Sequence, residues 1–342
     1  MSTIASQPGD VQLESGALAS VNEAVAEEAR RGLSASPRQL SPWLFYDERG
    51  SELFEAITTL PEYYLTRTER ALFAAHADAI VAEAAETHPL TVLELGAGTA
   101  TKSGLLLRAL TARQGTALYQ PIDVSASALA EAEASLTREI LGVRVRSRVA
   151  NYTAEVASIE REPGDRALAL YIGSSIGNFD PAQARDVLRM LHSGLEPGDM
   201  LLLGTDLAPG PHKSVDMLVR AYDDAAGVTA AFNLNVLHRL NRDIGTDFDV
   251  ASFRHSARWN AELGRMEMHL EATSPQLVHL PADGQGSALQ LHFQAGETIH
   301  TENSYKFTDS SIAALLEDAG FTVRRVWHDP AELFAVTLAQ AV

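Results

Sequence analysis

Residues 91–102, Thr-Val-Leu-Glu-Leu-Gly-Ala-Gly-Thr-Ala-Thr-Lys, constrain the fold of this chain more than any other stretch. Thr91 to Leu95 is a short apolar run with β-branched content. Gly96 and Gly98 interrupt it, and a helical pattern over 103–110 follows at once, which predicts strand, tight turn and helix. Glycine at 96 and 98 permits positive φ and leaves no Cβ to hold a ligand away from the amides of the turn. A dinucleotide fingerprint wants Gly or Ala at position 101, which is Thr101, and a P-loop wants Gly immediately before its Lys, whereas Lys102 follows Thr101. The turn therefore suits a ligand without phosphate, or is simply a strand-to-helix turn that needs two glycines.

From residue 91 strand and helix patterns alternate. Strands are expected at 91–95, 117–123, 143–150, 166–172 and 198–204, the signature of an α/β protein whose parallel sheet is covered on both faces. Asp123 ends the second strand, 25 residues beyond Gly98. A carboxylate there can accept hydrogen bonds from both hydroxyls of a ribose, or can cap the helix that follows. Asn151 and Tyr152 follow the third strand and offer an amide and a ring to an adenine. Gly173-Ser-Ser-Ile-Gly-Asn-Phe179 follows the fourth, so three ligand-capable loops converge on one crevice at the carboxyl edge of the sheet.

The alternation stops after about residue 207. Helices are expected at 215–227 and 228–242, and antiparallel strands at 253–260, 265–273 and 289–293. A closing helix at 310–319 and strands at 321–327 and 333–338 would complete the first sheet. Ahead of the sheet, 1–16 reads as a loose, disordered tail and 17–33 as an acidic amphipathic helix. Segment 41–54 packs four aromatic residues together. The Pro-broken stretch 60–69 leads through a capping box, Thr66 to Glu69, into a helix over 70–86. Tyr63 and Tyr64 on that stretch either pack their rings on a core or present hydroxyls to a ligand. Two domains are expected: 68–209 plus 307–342 around the parallel sheet, and a discontinuous one from 17–67 plus 210–306, with a substrate site between them.

Charge and composition exclude several functions. The net charge of −18, from 45 acidic and 27 basic residues, argues against a nucleic acid or an anionic membrane as partner. There is no cysteine, which rules out disulfides, thiolate metal sites and a cysteine nucleophile. No apolar run approaches a membrane span and nothing near the start reads as a signal peptide, so a cytoplasmic protein is expected. The eleven histidines show no metal-like spacing, and Asp223-Asp224 reads as a solvated helix face or a cap, so no metal is expected.

Glu94-Leu-Gly-Ala-Gly-Thr99 resembles the first motif of class I S-adenosylmethionine-dependent methyltransferases. Longer strings are more specific: Phe45-Tyr-Asp-Glu-Arg-Gly-Ser-Glu-Leu-Phe54, Leu60-Pro-Glu-Tyr-Tyr64, Gly173-Ser-Ser-Ile-Gly-Asn178, Arg220-Ala-Tyr-Asp-Asp-Ala-Ala-Gly-Val-Thr-Ala-Ala-Phe-Asn233 and Thr301-Glu-Asn-Ser-Tyr-Lys-Phe307. From about residue 36 to the C-terminus the chain resembles the histidine Nα-methyltransferases of ergothioneine biosynthesis. The resemblance implies a class I, Rossmann-like methyltransferase domain with a second, discontinuous α+β substrate-binding domain. It also implies an S-adenosylmethionine co-substrate, L-histidine as the small-molecule substrate and trimethylation of its α-amine to hercynine; a monomer is expected, and the charge already argues against a nucleic acid or membrane partner.

Site residues follow from the same resemblance. It places Tyr46, Gly96, Gly98, Lys102, Asp123, Asn151 and Tyr152 on the cofactor. Tyr63, Asn178 and Tyr222 would hold the substrate carboxylate and, by orienting the reacting amine, act as the catalytic residues. Glu302 and Ser304 would bind the imidazole, and Phe54, Gly173, Thr229, Phe232 and Met268 would line the pocket. The family pattern has Asp at Asn151, Phe at Tyr152 and Thr at Ser175, departures that touch the adenine contact and leave the substrate contacts in place. A carboxylate clamp of Asn and Tyr is expected to lack a cation, because one beside a sulfonium and a growing ammonium would disfavour both. Two other readings are open: an enzyme of this class acting on another amino acid or an indole-derived amine, and a non-catalytic S-adenosylmethionine-binding module. An indole has no use for Glu302 and Ser304, and a binding module has no need of both clamps. Apart from the resemblance, Glu302 and Ser304 would read as alternate solvent-facing residues of a strand.

Overall fold

The computed structural model describes residues 15–150, 159–282 and 286–342. Three helices come first, α1 (Ser15–Leu33), α2 (Glu48–Thr58) and α3 (Tyr64–Ala85). The alternation then runs β1 (Leu90–Leu95), α4 (Ser103–Gln114), β2 (Ala117–Asp123), α5 (Ala126–Glu139), β3 (Val143–Val145), β4 (Arg148–Val149), β5 (Arg166–Tyr171), α6 (Pro181–Ser193) and β6 (Met200–Asp206). After an excursion the chain returns as α9 (Asp309–Asp318), β12 (Phe321–His328) and β13 (Phe334–Ala341). The sheet order is β12-β13-β6-β5-β1-β2-β3, with β4 also on β2. β13 runs antiparallel to both its neighbours, and the strands from β6 to β3 are parallel.

A strand covered on both faces can be apolar throughout, and β1 is buried at every position. Its side chains divide between two apolar clusters. Val92 joins Phe73, Leu107, Leu168 and Leu202 on the face covered by α3 and α4. Leu93 joins Ala169, Leu188, Leu203 and Leu316 on the face covered by α6 and α9.

The excursion comprises α7 (Val215–Tyr222), α8 (Val228–Ile244), β7 (Phe253–Asn260), β8 (Arg265–Ala272), β9 (Gln276–Leu280), β10 (Leu289–Phe293) and β11 (Thr298–Tyr305). β11, β8 and β7 form an antiparallel sheet in that order, and β9 and β10 form a hairpin. A third apolar cluster joins this region to the N-terminal helices, with Val25, Phe45, Leu53 and Tyr64 packed among Leu218, Phe232, Leu237, Met268 and Phe293. Polar ties reinforce the join: Asn235 donates to the Asp47 carboxylate at 2.8 Å and Arg239 donates to the Leu44 carbonyl at 2.9 Å.

Several elements differ from expectation. The strand expected at 143–150 is broken into β3 and β4. α1 starts at Ser15, so the helix takes in the last two positions of the stretch expected to be a tail, whose residues 1–14 lie outside those described. The capping box does not form. α3 starts at Tyr64, its N-cap Tyr63 makes no side-chain cap, and Glu69 is fully buried. Packing of Tyr64 and Leu65 into the core extends the helix back through Thr66, so Thr66 has no helix start to cap. α7 ends at Tyr222 and leaves Asp224 to cap α8, accepting from Val228 and Thr229 N–H at 3.0 and 2.7 Å. No sequence pattern predicts β9, and at β11 the alternation of Glu302 and Ser304 is the only strand signal.

Candidate active site

At the carboxyl edge of the parallel sheet, Gly96 and Gly98 both adopt positive φ, 67° and 52°. Gly98 donates its N–H to Asp123 Oδ2 at 2.9 Å, and Ser125 donates to Oδ1 at 2.9 Å. Asp123 thus fixes the glycine turn from the end of β2, while Ser125 caps α5. A Cβ at Gly98 would meet nothing within 4 Å, so glycine is required there for its conformation and the space beside the turn is open. That space is a cleft of about 750 Å³ bounded by 96–103, Gly173 and residues of α2 and α3. Glu94 lies against it from β1 and receives the Tyr119 hydroxyl, and burial pushes its carboxyl up to about 7. Asn151 and Tyr152 lie outside the described residues.

Glu69 organises the inner wall of the cleft. Its carboxylate receives Lys102 Nζ and the Gly173 amide, the latter at 2.8 and 3.0 Å. It passes directly over Gly204 of β6, where a Cβ would lie 2.1 Å from Glu69 Oε1. An ammonium, a carboxylate and a main-chain amide are therefore locked together where the loops after β1 and β5 meet.

A second pocket adjoins the cleft and shares Phe54, Tyr63, Gly173 and Ser175 with it. Tyr63, Asn178, Tyr222, Glu302 and Ser304 line it, together with Phe54, Thr229, Phe232, Met268 and Gly173. Every residue expected at the substrate is thus on one surface. Tyr46, expected at the cofactor, lines this same pocket, edge-on to Phe54 and Phe232 at 5.8 and 5.9 Å between ring centroids. Tyr63 packs edge-on to Tyr222 at 6.2 Å. Asn178 ends a single 3-10 turn, Ser175–Asn178, entered through Ser174 at a left-handed φ of 59°. Ser174 is held there by accepting the Asp206 N–H at 2.9 Å. Met268 pairs with Glu302 across β8 and β11, next to a register shift between His300 and Glu302. The extra residue, Thr301, turns inward to Asn233 and the Met268 carbonyl, and the shift re-aims Glu302 and Ser304 into the pocket.

The electrostatics contain residues that sequence reasoning missed. Among the described residues none donates a hydrogen bond to the Glu302 carboxylate, and burial, opposed by Lys306, pushes it up to about 8. Lys306, its side chain wholly buried, donates to Tyr222 Oη and Ser304 Oγ at 2.8 Å each and pairs with Asp206 Oδ2 at 2.7 Å. Asp206 also binds buried Lys213 and accepts the Tyr64 hydroxyl at 2.9 Å. The pocket expected to lack a cation therefore has one directly behind two of its hydroxyls, although Lys306 does not itself line it. The two tyrosines of the 60–69 stretch divide the roles offered to them: Tyr64 is a buried, hydrogen-bonded core residue and Tyr63 faces the pocket. Tyr63 and Tyr222 both have pKa values raised by burial and by neighbouring acidic groups, so they stay protonated and each keeps a proton to donate. In sequence Lys306 only continues the Glu302, Ser304 alternation one residue past the end of β11.

A parallel sheet with one reversed strand inserted next to its edge, a glycine turn after β1 and a carboxylate closing β2 define a class I S-adenosylmethionine-dependent methyltransferase. Residues 25–341 match the S-adenosylmethionine-dependent, histidine-specific methyltransferases, and the chain belongs to that family. It is 41% identical over 320 residues to a histidine N-alpha-methyltransferase of Mycolicibacterium smegmatis, covering 94% of this chain and 96% of that one. It is 42% identical over 316 residues to a histidine N-alpha-methyltransferase of Mycobacterium tuberculosis, with 92% and 94% covered. An N-methyltransferase of Aspergillus fumigatus, fsqC, is 29% identical over 332 residues, with 95% and 86% covered. The chain is an enzyme that uses S-adenosylmethionine to methylate histidine. Among the described residues no helix is long and apolar enough to cross a membrane, and no group of side chains could hold a metal ion.

Proposed function

We propose that the chain methylates the α-amine of L-histidine three times and releases hercynine, the first step of ergothioneine biosynthesis. The observation that supports this most is Glu302, a half-buried pocket carboxylate that receives no hydrogen bond among the described residues, two residues along β11 from a hydroxyl at Ser304. An imidazole has one N–H and one lone pair, and satisfies both. A phenyl ring would leave the carboxylate unpaired, at a cost that discriminates strongly between ligands.

Tyr63, Asn178 and Tyr222 supply neutral donors for the substrate carboxylate. With both ends of the amino acid held, its amine is directed toward Gly173 and Phe54, which face the cleft as well as the pocket. S-adenosylmethionine, when bound, supplies an electrophilic methyl group on a sulfonium. Gly96, Gly98, Lys102 and Asp123 would hold it, while Tyr46, on the wall of the second pocket, would lie on the substrate side; Asn151 and Tyr152 are beyond the described residues. The residues around the amine contribute chiefly orientation, which can be worth about 7–11 kcal/mol of the barrier. Segments 17–67 and 210–306 would form the substrate unit, and 68–209 with 307–342 the cofactor unit. Calorimetric titration of L-histidine and L-phenylalanine into the protein with S-adenosylhomocysteine tests the reading. Histidine should bind and phenylalanine should not, and equal binding of both would contradict it.

A further inference from the structure

We propose that Lys306 is a positioning residue for histidine: one buried ammonium fixes the hydroxyl oxygens of Tyr222 and Ser304 together, so that both hydroxyl protons point at the ligand. The inference rests on the reading that Tyr222 holds the carboxylate and Ser304 the imidazole. An ammonium has three N–H donors and no acceptor. Those of Lys306 are committed to Asp206 Oδ2 at 2.7 Å, Tyr222 Oη at 2.8 Å and Ser304 Oγ at 2.8 Å. Both hydroxyl oxygens therefore accept from Lys306, and each has one proton left to give.

The two hydroxyls lie 2.8 Å apart, so in the ligand-free protein one donates to the other. A ligand with an acceptor at each end, a carboxylate at one and an imidazole nitrogen at the other, draws both protons outward without disturbing the ammonium. The clamp for the backbone end and the clamp for the ring end of the amino acid thus share one anchor. Asp206 holds that anchor in place, and is itself held by Lys213 and Tyr64. Lys213 binds the opposite oxygen of Asp206 and the carbonyls of Leu207 and Leu333, and does not line the pocket. It is an equally buried lysine that donates to neither hydroxyl.

The test compares Lys306→Met, Lys213→Met, Tyr222→Phe and Ser304→Ala for histidine KM, S-adenosylmethionine KM and melting temperature. Lys306→Met should raise histidine KM roughly ten-fold or more, the loss of hydrogen bonds at two oriented groups, and leave S-adenosylmethionine KM within about two-fold. Lys213→Met, which loosens Asp206 but removes no donor from either hydroxyl, should lower the melting temperature and raise histidine KM by clearly less than Lys306→Met does. Unchanged histidine KM in Lys306→Met, with Tyr222→Phe and Ser304→Ala impaired, would overturn the proposal and spare the assigned contacts. Unchanged histidine KM in all three would overturn those contacts too. Should Lys306→Met not fold, the Tyr222→Phe/Ser304→Ala double variant decides. A shared anchor predicts a combined loss smaller than the product of the single losses, because removing either hydroxyl already releases the ammonium that orients the other, whereas simple multiplication of the losses would contradict it.

Discussion

The Glu69 carboxylate accepts the main-chain N–H of Gly173 at 2.8 Å while it pairs with Lys102, so one buried side chain of α3 fixes the loops that follow β1 and β5. Removing it strands a partly buried ammonium, and loss of one partner from a buried pair costs about 3–5 kcal/mol. Glu69→Ala should therefore lower the urea midpoint sharply and weaken S-adenosylhomocysteine binding in calorimetry. An unchanged midpoint would show that the pair contributes nothing to the fold.

Asp123 fixes the glycine turn through the Gly98 amide at 2.9 Å. In Asp123→Ala the hydrogen bond from Gly98 and the ribose contact proposed for the carboxylate are both lost, worth about 1–3 kcal/mol per group, so cofactor affinity should fall by at least ten-fold. Calorimetry with S-adenosylhomocysteine measures this, and histidine affinity in the same variant should change less.

Glu302 should give the pH profile of histidine use its particular limb. Burial holds its carboxyl at about 8, and the ionised form is the better acceptor for an imidazole N–H. Values of kcat/KM for histidine should therefore rise as pH passes through about 8, and Glu302→Gln, with a carbonyl acceptor at every pH, should lose that component. Glu302→Ala should lower kcat/KM at all pH values by about ten-fold or more, from roughly 1–3 kcal/mol per lost hydrogen bond. The stability linkage has the opposite slope. A carboxyl whose folded pKa is raised stabilises the fold fully below its unfolded value of 4.5, and this is lost as pH rises toward about 8. The unliganded Glu302→Gln protein should escape that decline.

His269 sets an acid limit on stability. Burial first, then the stacked His300 ring at 4.7 Å, depress its pKa from 6.5 to about 4. The unfolded chain binds the proton that the folded one refuses, so stability present above pH 6.5 is lost as pH falls toward 4, by on the order of 1–3 kcal/mol. Urea midpoints measured from pH 7 to 4.5 should fall less steeply in His269→Gln than in the parent.

Much of the sheet was legible in the sequence because strands covered on both faces are continuous apolar runs, as Leu90–Leu95 is, and because Gly96 and Gly98 mark the turn after it. Glu69 was misread for a local reason. Thr66-x-x-Glu69 has the spacing of a capping box, and only packing of Tyr64 and Leu65 into the core shows that the helix has already begun. The pocket proposed for the substrate draws on α2, α7, α8, β8, β11 and the loop after β5, and no local pattern links those segments. Long shared strings pointed to its residues where spacing could not. Lys306 escaped because a lysine just past a strand end is ordinarily solvated. Its burial depends on Asp206, at the end of a strand in another sheet.

The most direct test of the central claim is mass spectrometry of L-histidine incubated with the purified protein and S-adenosylmethionine, beside parallel reactions with tryptophan, tyrosine and phenylalanine. The structure predicts a histidine product bearing three added methyl groups, located by fragmentation on the α-nitrogen, and no product from the other three. Methylation on the imidazole ring, or methylation of tryptophan in preference to histidine, would contradict the assignment of Glu302 and Ser304 to the ring and of Tyr63, Asn178 and Tyr222 to the carboxylate.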